Sequence, residues 1–252
     1  MSDLIIIGAA LVGSGLTLIS GFGLGTLMLP VFALFFPVDL AVAMTATVHV
    51  LNNLFKFGLM AKSIDRKVVL LFGIPGIAGA FLGAYTLRMI NDLQDVVLFV
   101  MALEPIKMGI GVLMIFFALT ELFPALLQFS IRKRYLIPGG ALSGFFGGLS
   151  GHQGALRSMF LIKLNLRKEV YIATGVAVAL LVDFTRIPVY LTSFDAARLQ
   201  GEWPTIALAT LAAFAGAYLG KRMIPKVTLT AVHRLVGIFM IAMGVALFFN
   251  VI

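Results

Sequence analysis

Apolar residues are concentrated in long runs without charged side chains, and short polar or basic turns separate the runs. An α-helix needs about 20 apolar residues to cross the hydrocarbon of a bilayer. Several runs have about this length, so the pattern predicts an all-α integral membrane protein. The runs are Leu4–Val38, Leu40–Phe55, Val68–Leu87, Tyr135–Leu156, Trp203–Gly220 and Leu235–Ile252.

The first run, Leu4–Val38, is too long for one crossing and has glycines in its middle. We expect a helix over Leu4–Ser20, a break that includes Gly21 and Gly23, and a shorter helix over Thr26–Phe36. Glycine weakens a helix interior because it has the greatest backbone freedom to lose. The pattern therefore predicts a glycine-broken hairpin.

A second hairpin is expected in the later part of the chain. Tyr135–Ser150 leads to a break at Gly151–Gly154, and a short helix over Ala155–Leu164 follows. The remaining crossings are predicted at Leu40–Ala61, Val68–Arg88, Pro105–Phe123, Glu169–Thr192, Trp203–Gly220 and Thr228–Val251. The segments Met89–Glu104 and Ser193–Glu202 are read as acidic loops, and the apolar piece Val96–Leu103 is too short to cross.

The two hairpins indicate an internal repeat. Ser20–Thr47 and Ser150–Ala177 both begin with Ser-Gly and a further glycine, and both continue into a short apolar helix, a polar turn and a long helix. The same offset sets Asn53 opposite Asp183 and Lys56 opposite Arg186. The sequence GAFLG at Gly79–Gly83 recurs as GAYLG at Gly216–Gly220. Close helix packing explains these small residues without a ligand.

The repeat divides the chain into residues 1–125 and 126–252. Each half is predicted to be a broken hairpin plus three transmembrane helices, with about eight to ten helices in all. Together the halves would form one transport domain.

Composition agrees with a membrane protein. The 252 residues are 61% hydrophobic and 12% charged, which is too little polar surface for a soluble globule. The net charge of +8 does not indicate nucleic-acid binding, because the basic residues lie in short loops between apolar runs. The chain has no Cys, so disulfides and thiolate metal sites are excluded. The N-terminus carries Asp3 and no basic residue, so no cleaved signal peptide is expected.

The loops with most Lys and Arg are expected on the cytoplasmic side. Residues 62–67, 132–134, 163–168 and 221–226 form this set. Tracing the chain from them places the two hairpins on opposite faces and both termini outside. Each half crosses an odd number of times, so the halves are inverted relative to each other.

Inverted repeats with glycine-broken helices are typical of secondary transporters. A break leaves backbone groups without partners at membrane depth, which is tolerable only where protein, water or a ligand meets them. The N-terminal end of a half-helix carries partial positive charge and favours an anion. The predicted substrate is therefore a small anion near the bilayer midplane.

The chain resembles the TauE/SafE sulfite/sulfonate exporter family through its doubled Ser-Gly-x-Gly pattern. The stretch Gly144–Gly154, GFFGGLSGHQG, is the most specific part, although many members have a denser glycine-proline run there. The resemblance covers nearly the whole chain. It implies transport of sulfite, sulfonates such as sulfoacetate, or related carboxylates across the cytoplasmic membrane, in a bacterial inner membrane.

The residues predicted to bind substrate are those near the breaks and the polar residues inside the spans. They are Gly21, Gly23, Asn53, Lys56, Gly151, His152, Gln153, Gly154, Arg157 and Arg186. Ionisable groups within spans are costly and indicate function. Arg157 follows the second break, and its guanidinium suits paired contact with sulfonate or carboxylate oxygens. Its structural alternative is neutralisation by Asp183.

The other polar residues inside the predicted spans each have two possible roles. Asp183 either carries a coupling proton or forms an ion pair with Arg186 or Arg157. Lys56 and Arg186 either face the substrate or extend to the membrane interface. His152 and Gln153 either contact the anion or cap a helix. His49 is interpreted as a packed or bridging residue.

Three functional classes are compatible with a membrane protein of this kind. A secondary transporter leads, and an anion channel would share the basic interior. An enzyme is disfavoured, since the sequence has no His-rich metal constellation, no paired intramembrane carboxylates and no nucleotide-binding P-loop. No cofactor or metal is expected. A homodimer and coupling to protons or sodium remain open.

Overall fold

The computed structural model describes residues 2–20, 23–98, 101–123, 135–193, 196–223 and 229–251. The helices of the first half are α1 (Ser2–Ser20), α2 (Gly25–Ala33), α3 (Val38–Met60), α4 (Arg66–Val68), α5 (Ile74–Asn91) and α6 (Pro105–Leu122). A 3-10 turn at Ala61–Ser63 ends α3. A π turn at Val69–Gly73 joins α4 to α5, so that Arg66–Asn91 is continuous.

Six further helices follow in the later part of the chain. They are α7 (Leu136–Ser150), α8 (Gly154–Leu161), α9 (Lys168–Ser193), α10 (Ala196–Gly201), α11 (Trp203–Met223) and α12 (Leu229–Phe248). A 3-10 turn at Ile162–Leu164 follows α8. The predicted hairpins and crossings therefore appear as helices, with ends shifted by a few residues.

The helices confirm the all-α membrane class. Four are long and apolar enough to cross a bilayer, namely Val38–Ser63, Arg66–Asn91, Lys168–Thr192 and Trp203–Gly220. Shorter apolar helices cover Ser2–Thr17, Pro105–Thr120, Leu136–Ser150 and Arg234–Phe248. Apart from the first and last turns, the backbone groups of these helices are paired within their own segment, as a hydrocarbon environment demands.

Two predicted loops contain short regular structure instead. Between α5 and α6, β1 (Val96–Leu98) pairs antiparallel with β2 (Met101–Leu103). This piece is too short to cross, and pairing with a neighbouring strand satisfies its backbone groups locally. The loop at Ser193–Glu202 contains α10, whose Ala-Ala-Arg-Leu-Gln sequence consists of good helix formers.

Each half packs its first helix against the glycine-rich helix of the other half. The most extensive helix pairs are α5 with α7, α1 with α11, and α6 with α12, followed by α3 with α9. A β-carbon added at Gly79 or Gly83 would overlap the α7 backbone, and one at Gly216 or Gly220 would overlap the α1 backbone. The predicted small-residue faces are thus confirmed as close packing sites.

The two glycine breaks meet inside the molecule. Gly151 ends α7 in the left-handed conformation, with φ of +81°, which a residue with a β-carbon rarely adopts. A β-carbon placed on Gly25, at the start of α2, would lie 3.4 Å from the Gly151 carbonyl oxygen. Gly21 lies outside the described residues, so its predicted role has no structural counterpart here.

Candidate functional site

A small, partly open cavity lies beside the first break, between α1, α3, α8 and α9. Its volume is about 30 Å³. Gly23 and Gly175 line it with apolar Ile172 and Val176. Its polar lining consists of Thr17, His49, Asn53, Lys56, Arg157 and Tyr171.

One face of α3 supplies three of these polar residues. His49, Asn53 and Lys56 are four and then three positions apart, which places them one above another on a helix. Asn53 and Lys56 are 5% and 4% exposed. Lys56 is therefore enclosed by the protein rather than exposed on its surface.

Arg157 enters the cavity from the first turn of α8. It is 6% exposed and faces α9, where a β-carbon added at Gly175 would lie 3.3 Å from its Nε. Glycine at position 175 thus gives the guanidinium room. The beginning of a helix is itself partly positive, so the α8 N-terminus adds to the charge of Arg157.

The lining combines two cationic side chains with no carboxylate among the described residues. Lys56 and Arg157 contribute the positive charge. The nearby Asp183 is fully buried on α9 and is engaged by other groups. No group of three potential metal-binding side chains occurs in the described segments. The arrangement favours an anion.

Asp183 joins three side chains in a buried network. Arg186 donates from Nε to Oδ1 at 3.0 Å, and its Nη2 lies 2.8 Å from the same oxygen. His49 Nδ1 lies 2.7 Å from Oδ2, and Asn53 Nδ2 donates to Oδ2 at 3.3 Å. Since α3 and α9 belong to different halves, this network connects the two halves.

Arg186 also completes the hydrogen bonding of the second break. Its Nη1 donates to the Gly147 carbonyl at 3.2 Å, and the Tyr190 hydroxyl donates to the Gly148 carbonyl. The Gly147 carbonyl also accepts from the Gly151 N–H at 2.9 Å, so Arg186 adds a second hydrogen bond there, whereas Tyr190 serves a carbonyl in the last turn, which has no partner within its helix. Arg186, which is 1% exposed, therefore stabilises the end of α7 from inside the protein.

The other predicted residues of the second break are not among the described lining residues of the cavity. His152 stacks on Phe117, with ring centroids 5.5 Å apart, and its Nδ1 lies 3.0 Å from Ser150 Oγ. Gln153 precedes Gly154, the first residue of α8. The Gln153 side-chain amide is buried and has no hydrogen-bond partner in the described part of the chain.

The structure brings together Gly23, Asn53, Lys56 and Arg157 from the predicted set. It leaves Gly151, His152, Gln153, Gly154, Arg186 and Asp183 outside the described lining of the cavity. His49 both lines the cavity and bridges to Asp183, whereas the sequence indicated only packing or bridging. Its helical spacing from Asn53 and Lys56 was the signal available. Thr17, Tyr171 and Gly175 were not identified from sequence.

Comparison with known proteins agrees with an all-helical membrane protein. The family model for the sulfite exporter TauE/SafE matches residues 5–247, nearly the whole chain. A search of curated proteins finds no match. The family consists of multi-pass membrane transporters of anions rather than enzymes, as the apolar helices suggest. The chain belongs to the TauE/SafE sulfite exporter family.

Proposed function

We propose that this protein is a secondary transporter that moves a small sulfur-containing or carboxylate anion across the cytoplasmic membrane by alternating access. One observation carries the proposal. Lys56 and Arg157 face one cavity whose described lining has no carboxylate. Two buried cations beside a helix N-terminus favour oxyanions such as sulfite, sulfoacetate or related compounds.

The substrate contacts fall to the residues of the cavity. Arg157 provides paired donors, Lys56 a point charge, and Asn53 and Gly23 further polar contacts. Gly151, His152, Gln153, Gly154 and Arg186 hold the second break in place around them. Some of the predicted site residues therefore contact the substrate, and the others support the second break.

The size of the cavity supports a transport cycle with moving parts. A cavity needs about 10–15 Å³ to hold one water, so 30 Å³ has room for about two. An anion with several heavy atoms needs more space. Binding would require the helices that line the cavity, α1, α3, α8 and α9, to separate, as expected when a central site opens to one side.

The helix pairing supports two inverted repeats, residues 1–125 and 126–252. The α1–α11 contact has its counterpart in the α7–α5 contact, and α3–α9 and α6–α12 pair equivalent helices. Gly111 and Gly244 approach each other across α6 and α12. A twofold relation between the repeats would produce this exchange, and the distribution of basic loops favours an axis in the membrane plane.

We expect flux that saturates with substrate concentration. Proteoliposomes containing the full chain would be tested with sulfite, sulfoacetate and small carboxylates under imposed proton or sodium gradients. Alternating access limits the rate to one substrate per cycle, so uptake should plateau and respond to an opposing gradient. Protein-free liposomes are the control. A current that grows linearly with anion concentration would instead favour an anion channel.

We also expect inverted topology in labelling experiments. The chain has no Cys, so single cysteines can be introduced without removing native ones. A cysteine at Ser63 should react only from the cytoplasmic side, and cysteines at Asn91 and Ser193 only from outside. The cytoplasmic sites Gln128 and Pro225 lie outside the described residues. Labelling of Ser63 and Asn91 from the same side would contradict the inverted arrangement and the outside placement of both termini.

A further inference from the structure

We propose that His49 is the group that carries a proton together with the anion, which makes the protein a proton-coupled transporter. This inference rests on the proposed function. It differs from the sequence interpretation, in which Asp183 was the candidate for coupling. The position of the two nitrogens of the His49 ring carries the argument.

One ring nitrogen of His49 is fixed by Asp183. Nδ1 lies 2.7 Å from Asp183 Oδ2, and both residues are almost completely buried. An ionised carboxylate only accepts hydrogen bonds, so Nδ1 holds a hydrogen and donates it. Asn53 Nδ2 donates to the same oxygen at 3.3 Å. The ring is therefore held in one orientation.

The other nitrogen faces the first break. A β-carbon placed on Gly23 would lie 3.0 Å from His49 Nε2, and both residues line the cavity. In neutral His49, Nε2 has a lone pair, which repels an oxyanion. In protonated His49, Nε2 donates a hydrogen bond to that oxyanion.

The Asn53 amide leaves Nε2 available. Its Nδ2 lies 3.1 Å from Nδ1 and 3.4 Å from Nε2, so it is close to both ring nitrogens and is not in line with the Nε2 lone pair. When Nε2 is protonated, rotation of the Asn53 side chain would offer the amide oxygen as acceptor. Among the described residues, no donor is therefore aligned with Nε2 to keep it deprotonated.

The surrounding charges couple proton and anion. Asp183 and Arg186 lie near His49 on α9. Tyr171 lines the cavity from α9, Arg157 from α8 and Lys56 from α3. Asp183 and Arg186 offset each other as a pair. Lys56 and Arg157 oppose a third positive charge until an anion enters. Binding of the anion therefore favours the proton, and by linkage the proton favours the anion equally.

In this proposal Asp183 positions the ring of His49 and does not carry the proton. Its two oxygens accept from Arg186, His49 and Asn53, and it is not among the described lining residues of the cavity. The transported proton forms a bond to Nε2 from water on one side of the membrane. It returns to water on the other side when the anion leaves, and no bond of the substrate changes.

The test uses the full-length protein and sulfoacetate, whose carboxyl has an ordinary pKa of about 4 and stays ionised between pH 6 and 8. Wild-type affinity should weaken by up to about tenfold per pH unit as the linked proton is lost. His49→Gln retains a hydrogen-bonding amide but cannot take the proton, so its affinity should be low and independent of pH. His152→Gln changes the other described buried histidine and should retain the pH dependence.

Calorimetry in two buffers with different ionisation enthalpies counts protons directly. We expect about one proton taken up per sulfoacetate by the wild type and none by His49→Gln. Equal wild-type affinity at pH 6 and pH 8 without proton uptake would overturn the coupling alone. Proton uptake that persists in folded His49→Gln would overturn the assignment to His49. Absence of sulfoacetate binding at every pH would overturn both the coupling and the proposed function for this substrate.

Discussion

Replacing Arg157 with alanine is expected to nearly abolish substrate binding while the protein stays folded. Losing one hydrogen-bonded charge typically costs about 1.5–3 kcal/mol. That range corresponds to a loss of affinity of roughly ten- to hundred-fold. Arg157 is 6% exposed and lies beside Gly175, so solvent does not screen its charge from an anion in the cavity.

Arg157→Lys should weaken binding less than Arg157→Ala. Lysine keeps the positive charge but lacks the planar pair of donors that matches a sulfonate or carboxylate. Substrate affinity and thermal stability in detergent would be measured for both variants. Arg66→Ala, which removes an exposed arginine from α4, is the matched control and should retain wild-type affinity.

A structural role for Arg157 makes a different forecast. If Arg157 mainly neutralised Asp183, Arg157→Ala would lower thermal stability, and an added Asp183→Asn change would restore it. The observed contacts of Asp183 with Arg186, His49 and Asn53 argue against this rescue. Unchanged affinity in a well-folded Arg157→Ala protein would remove Arg157 from the site.

Replacing Asp183 with alanine is expected to destabilise the protein by about 3–5 kcal/mol, the usual cost of breaking a buried ion pair. Arg186 would keep its charge in a site that is 1% exposed. His49 would lose the acceptor that orients its ring, at 2.7 Å from Nδ1. Thermal unfolding in detergent, compared with the exposed control Asp92→Ala, measures the loss.

The double variant Asp183→Ala with Arg186→Met separates two contributions of Arg186. Removing both charges avoids an isolated buried cation, and such apolar replacements are often tolerated. The double variant should regain only part of the thermal stability lost in Asp183→Ala, because Arg186 also donates to the Gly147 carbonyl at the end of α7. Wild-type stability of the Asp183→Ala single variant would contradict the role given to this network.

The approximate ends of the long helices could be predicted from sequence. The thickness of the hydrocarbon sets the length of each apolar run, and that length can be read directly along the chain. The expected crossing Leu40–Ala61 corresponds to α3 at Val38–Met60, and the broken run Leu4–Val38 divides into α1 and α2 as expected. The pairing of β1 with β2 was missed, since a short apolar piece gives no sign of its partner.

The sequence by itself determined the membrane class, the two glycine breaks and the small-residue faces at Gly79–Gly83 and Gly216–Gly220. Each of these depends on residues close together in the chain. Only the tertiary structure decided that α1 packs on α11 and that His49 meets Asp183. The first contact depends on how α1 and α11 cross, and the second on how α3 and α9 cross. Each crossing angle is set by side chains of both helices, so the sequence pattern of one helix does not reveal it.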